Sequence, residues 1–232
     1  MDASRVRELI YGLQADHERG DSPGSRLCRA CVDLIAISGA GIMLMDDEGN
    51  GSSLGLSDHV IGTVEDLQFT LGEGPGIDAH SLGRPVLGPQ LDHPVETRWP
   101  AFAPAAVNAG VRAAFGFPLR VGAIRLGALD LYQDRPGALG GLQMQDALEM
   151  AGIVTRAVIA TQTNASPGEL AQEVGSAGDL RSTVHQASGM LSEQLEIPIG
   201  DALVRLRAHA YAEGRPIHDV ASDVVARRLR IV

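Results

Sequence analysis

The chain has no lysine: all 19 basic residues among its 232 are arginine. Schiff-base catalysis, a phosphate-loop lysine, the ATP lysine of kinases and Ser–Lys dyads are therefore excluded. Cysteine is nearly absent too. Two cysteines without a secretory pattern point to a reducing, cytoplasmic setting. No apolar run approaches the roughly eighteen residues of a membrane span, and the opening MDASRVREL lacks the apolar core of a signal peptide. Aromatics supply 3% of residues against 44% hydrophobic overall, which suits a soluble globular chain and is too apolar for disorder. The length allows one large domain or two small ones.

The formal charge of −10 is unevenly spread. Residues 1–167 hold 12 Arg against 20 acids, leaving −8, whereas residues 180–232 hold 7 Arg against 6 acids, leaving +1. A nucleic-acid site therefore belongs in the second segment. The periodicity agrees that the two segments differ. A first amphipathic helix reads Ala3, Val6, Leu9, Ile10, Leu13. A second is capped by Ser22 with Pro23 at its first position, and carries Leu27, Ala30, Cys31, Leu34 and Ile35. Strands are expected at Gly41–Met45 and, beyond a polar turn, just after Gly51; a short helix and a strand near Val86-Leu87 follow the LGEGPG loop. A helix near 100–108, strands over Val111–Leu119 and Ile124–Tyr132, and a helix over 142–162 complete an α+β pattern with mostly antiparallel strands. Residues 164–178 read as a linker, or as a helix formed only against a partner. Beyond it lie three helices and no strands, roughly 180–196, 199–213 and 216–230. A unit of about fifty residues is small for an independent core, so support from a partner chain is expected.

Catalytic arrangements are weak throughout. Cys28-Arg29-Ala30-Cys31 is a C-x-x-C, but Cys28 sits in the second helical turn, where the dipole has faded, and Cys31 continues the apolar stripe. Buried structural thiols are the expectation. His80, Asp92 and His93 have no metal-ligand spacing. Neither Gly20–Gly24 nor Gly51–Gly55, both G-x-S-x-G, follows a buried strand as a nucleophile elbow requires. In Gly72-Glu73-Gly74-Pro75-Gly76, proline removes a donor and glutamate repels phosphate, so a structural loop is favoured. Asp46-Asp47-Glu48 lacks the spaced ligands of a calcium loop.

The C-terminal segment is more informative. On a helix at about 100° per residue, Ile199, Ala202, Leu203, Leu206 and Ala210 share a face. Arg207 and Tyr211 flank it on one side, Arg205 and His209 on the other; Arg215 lies in the following turn. Ile217, Val220, Ala221, Val224 and Val225 form the third helix's stripe, with Arg227, Arg228 and Arg230 near its end. Guanidinium and phenol groups at such spacing can hold phosphate and stack on unpaired bases. The chemistry alone leaves nucleic-acid binding and a plain packing module both open.

Three stretches of wording narrow this. Gln186-Ala187-x-Gly189, Ala202-Leu203-x-x-Leu206-Arg207-x-x-Ala210 and Ile217-x-Asp219-Val220-Ala221-x-x-Val224-Val225 resemble the ANTAR domain, a bacterial three-helix module of transcription antitermination regulators. Ser188 stands where that pattern commonly has a basic residue. Upstream, Gln68-Phe69-x-Leu71-Gly72-Glu73-Gly74-Pro75, Arg84-Pro85-Val86, Arg98-Trp99-Pro100-x-Phe102, Phe117-Pro118-Leu119 and Leu129–Tyr132 resemble GAF domains of actinobacterial GAF–ANTAR proteins, with Gly76 where many relatives carry cysteine. The resemblance implies an α+β GAF domain, an antiparallel sheet flanked by helices, followed by an all-α three-helix bundle. It places a GAF-like sensor at 1–163, a linker or signalling helix at 164–179 and an RNA-binding domain at 180–232. It implies a cytoplasmic, non-enzymatic homodimer that binds RNA stem-loops in nascent transcripts. No cofactor or metal is expected, though a small-molecule signal could occupy the GAF pocket. Arg205, Arg207, His209, Tyr211 and Arg215 are the expected RNA-facing set, with Arg227 and Arg228 on the backbone. Competing expectations are a cysteine-dependent GAF-type reductase, and a DNA-binding or dimerisation regulator that does not bind RNA.

Overall fold

The structure, a computed structural model, describes residues 22–46, 51–93, 98–164 and 179–231. The expected first helix, most of the acidic turn after Asp46 and nearly all of the linker lie outside the described residues.

Helix α1 (Pro23–Ile35) starts as the sequence implies: the Ser22 hydroxyl accepts from Ser25 N at 3.2 Å, and Pro23 opens the helix. Strands β1 (Gly39–Met45) and β2 (Gly51–Leu56) follow, then helices α2 (His59–Leu71) and α3 (Pro75–Leu82). Strand β3 (Val86–Gly88), helix α4 (Phe102–Asn108), strands β4 (Ala113–Val121) and β5 (Ile124–Gln133) and helix α5 (Gly141–Asn164) complete the first unit. Its five strands form one antiparallel sheet in the order β2-β1-β5-β4-β3.

Both faces of the sheet are covered, which is why β1, β4 and β5 read as nearly continuous apolar runs rather than alternating ones. Ile42, Phe115, Phe117, Leu119, Leu129 and Leu131 point to one side, against α1 and α5. Ala114 and Tyr132 point to the other, where α2, α3 and α4 supply Ile61, Val64, Ala79, Phe102 and Ala106, and the segment before α4 supplies Trp99. Glycine allows two backbones to meet at two places. A Cβ on Gly55 would collide with the Gly24 backbone, so β2 and α1 touch main chain to main chain; a Cβ on Gly116 would strike Pro75 at the start of α3. Each of the two G-x-S-x-G matches thus ends in one glycine of a packing pair.

The pattern of residues 59–70 predicts no element and places Leu71 in the following loop, but a thirteen-residue helix, His59–Leu71, runs through both. Its buried positions are Ile61, Val64, Glu65, Gln68 and Phe69, a helical stripe that two polar side chains interrupt. The ends carried the signal. Asp58 caps the N-terminus, accepting from Val60 N at 2.7 Å and Ile61 N at 3.1 Å, and Gly72 closes the C-terminus at φ +67°.

Helices α6 (Asp179–Leu195), α7 (Ile199–Glu213) and α8 (Ile217–Val225) make the second unit. Val184, Ala187, Leu191, Leu203, Leu206, Val220 and Val224 form its core. The expected third helix is too long: it ends at Val225, not near 230. Arg227 takes a left-handed conformation at φ +58°, and Arg228 N and Leu229 N both return to the Asp223 carbonyl, closing the helix early. None of the helices described is long and apolar enough to cross a membrane.

Candidate nucleic-acid interface

The seven candidate residues do not form one surface. Arg205 and Arg227 are exposed. His209, Arg215 and Arg228 are tied to acids around the α7–α8 turn. The Arg215 guanidinium donates to Asp223 at 2.6 Å and approaches Glu213 at 3.3 Å. Arg228 donates to the other Asp223 oxygen at 2.7 and 2.9 Å, and His209 Nε2 meets Glu213 at 3.2 Å. Arg215 and then Arg228 hold the Asp223 carboxyl below its usual range, while the same contacts hold Arg215 above its own. Asp223 thus gathers two guanidinium groups at the corner between α7 and α8, a placement the spacing did not reveal.

Arg207 and Tyr211 lie on the opposite flank of α7, facing the first unit. The Arg207 Nε and Nη2 both donate to the Phe69 carbonyl of α2, at 2.9 and 2.6 Å, and the guanidinium carbon lies 5.5 Å from the centre of the Phe69 ring. Burial lowers the Arg207 pKa from 12.5 to about 10, which leaves it charged at neutral pH. Tyr211 remains 73% exposed. Ser188 is fully buried, its hydroxyl donating to the Val184 carbonyl at 2.9 Å. In this bundle the position faces the core, away from any ligand.

The remaining chemical candidates resolve into structure. Glu73 accepts from Ala101 N and Phe102 N at 2.9 and 3.1 Å, and so caps α4. The GEGPG loop joins the end of α2 to the start of α3, a structural loop as the sequence implies. At Gly76 a side chain would run into the Asp130 carboxylate, which is why this position carries no cysteine here. Glu65, Gln68, His80 and Asp130 are buried on this side of the sheet. Among the described residues no cluster of His, Cys, Asp and Glu could hold a metal ion.

Both thiols are fully buried, and Cys28 donates to the Gly55 carbonyl at 3.2 Å. Burial, reinforced by Cys31 and Glu65, pushes Cys28 well up; burial raises Cys31 from 9.0 to about 12. Neither is a nucleophile at neutral pH, which disfavours the reductase expectation. At pH 8 the native protein is expected to be inert to a thiol-reactive chromogen over minutes and to release two equivalents once denatured. Fast labelling of the native state would contradict this. Because folding raises these pKa values, stability contributed by the protonated thiols is intact below pH 9 and is lost as pH climbs towards 12.

Comparison with known proteins places these units. Residues 175–225 match the ANTAR domain family. The C-terminal bundle is an ANTAR domain. Such domains are RNA-binding antitermination modules. The first unit has the fold of a GAF domain. The GAF domain of an Acinetobacter phosphoenolpyruvate-protein phosphotransferase superposes with a TM-score of 0.50 at 10% identity, covering 72% of this chain and 99% of its own. The corresponding domain from Coxiella burnetii gives 0.48 at 12%, covering 69% and 94%. Free methionine-R-sulfoxide reductase from Neisseria meningitidis gives 0.46 at 16%, covering 71% and 95%. A comparison with curated proteins returns no match. The chain therefore joins a GAF fold to a segment that matches the ANTAR domain family.

Proposed function

We propose that this protein is a non-enzymatic, cytoplasmic regulator that binds RNA stem-loops and causes transcription antitermination in response to a signal at its GAF domain. The ANTAR match over residues 175–225 carries the reading. The unit boundaries follow as GAF-like 1–163, linker 164–179 and ANTAR 180–232. Exposed Arg205 and Arg227, with the Arg215–Asp223–Arg228 cluster, offer the phosphate-binding edge. Arg207, Tyr211 and His209 are its further RNA-facing candidates. The active form is a homodimer presenting two bundles to two hairpins, which multiplies affinity without new contacts. A small molecule in the GAF pocket is the proposed signal, shifting the population of domain arrangements.

The test is a titration of the full chain against a two-hairpin RNA, with duplex DNA of the same sequence as control, across several salt concentrations. The expected result is loop-dependent RNA binding that the duplex does not reproduce. Arg205→Ala should weaken binding and reduce the salt slope by about 1. Equal affinity for RNA and duplex, or no binding to either by both the wild type and a Phe69→Ala variant, would overturn the reading.

A further inference from the structure

The contact between Arg207 and Phe69 has an unusual composition. Helix α2 has no basic residue in its last turn, yet its C-terminal carbonyls form the negative end of the helix dipole. Gly72 N returns to the Gln68 carbonyl at 2.8 Å, while the Phe69 carbonyl accepts from Arg207, 138 residues later in the chain. The ANTAR domain thus supplies the cation that the GAF helix lacks. The ring of Phe69 completes the joint: it is 3% exposed, belongs to the ANTAR core cluster, and meets His185 edge-on at 5.7 Å. Gly72 leaves room for the guanidinium, since a Cβ there would lie 3.2 Å from Arg207 Nη1.

We propose that this joint is an autoinhibitory latch, in which the C-terminal end of α2 occupies Arg207 and withholds it from RNA until the GAF domain moves. The inference rests on the proposed RNA-binding function. Two N–H groups of the guanidinium are committed to one carbonyl and one face is turned to a phenyl ring, so a phosphate cannot take the same edge. Beside the joint a cleft of about 470 Å³ runs between Thr70–Glu73, Pro100 and Ala101 on one side and Val204, Ala208 and Tyr211 on the other. The cleft opens the seam between the two units next to the latch. The helix carrying it also carries the signal path. Glu65 and Gln68 are buried on α2: Glu65 lies against Gly41 of β1, and Gln68 Oε1 accepts from Gly76 N of α3 at 2.7 Å. A rearrangement beneath α2 would shift Phe69 at its end.

Phe69→Ala tests the latch in the full chain, with Thr70→Cys/Ala208→Cys joined by a short bismaleimide as its closed counterpart; the native thiols are buried and will not compete. Two readouts are needed. The first, independent of RNA, is labelling of Arg207 by phenylglyoxal, read by mass spectrometry: slow in the wild type and crosslinked protein, at least fivefold faster in Phe69→Ala. The second is affinity for the two-hairpin RNA: at least fivefold tighter for Phe69→Ala, tenfold weaker after crosslinking. An opening equilibrium taxes apparent affinity by the competent fraction, which gives these signs. Equal RNA affinity for wild type and crosslinked protein would overturn the latch while leaving RNA binding standing, even if Phe69→Ala failed to fold. Fast Arg207 labelling in the wild type would also overturn it. Absence of RNA binding in every form, with Arg207 labelling as expected, would overturn the RNA reading and leave only a structural joint.

Discussion

Trp99→Ala is expected to destabilise the GAF domain by about 3–5 kcal/mol. Trp99 is 1% exposed and fills the space between α3, α4 and the sheet. Its indole N–H donates to Asp78 at 2.9 Å, its ring meets Phe102 edge-on at 6.1 Å, and the Arg98 guanidinium covers it at 4.4 Å. Removing the ring leaves a cavity and strands the Asp78 carboxylate. A denaturant melt followed by circular dichroism checks the size, because the variant loses the chain's single tryptophan. Trp99→Phe separates the two parts: it keeps most of the volume and loses only the hydrogen bond, so its cost should be well under half. A loss below 1 kcal/mol for Trp99→Ala would contradict the packing described.

Leu206→Ala should have the larger functional effect. Leu206 is fully buried at the centre of α7, in the core shared with Leu191, Leu203 and Val220. The substitution costs about 2–5 kcal/mol. A bundle of about fifty residues has little more than that to lose. The expected result is selective unfolding of the ANTAR domain: a partial fall in helical signal, abolished RNA binding, and Trp99 fluorescence close to native. Arg205→Ala, on the exposed flank, should reduce binding with the melt unchanged. If Leu206→Ala binds RNA normally, the bundle is not the RNA-binding unit.

The Phe69 joint bears on both experiments. Its ring lies within the ANTAR core, so unfolding of the bundle exposes part of α2 as well. Arg207 joins the two units through the carbonyl and ring of Phe69, and His185 adds an edge-on contact to the same ring.

The sequence by itself determined the two-part organisation, the Ser22-Pro23 helix start, the burial of the cysteines and all three C-terminal helices, because each depends on local chemistry or on an uninterrupted stripe. Helix α2 was illegible because Glu65 and Gln68 occupy buried positions that periodicity assigns to apolar residues. The early end of α8 was hidden because arginine rarely takes positive φ, and turn bonds to the Asp223 and Val224 carbonyls hold Arg227 there. The seven candidate residues were found by spacing, but spacing cannot say what faces a helix flank. Tertiary structure alone set Arg215 and Arg228 on one carboxylate and aimed Arg207 at a carbonyl 138 residues away. Hydrogen bonds between units depend on how the units pack, and no periodicity within one helix encodes that.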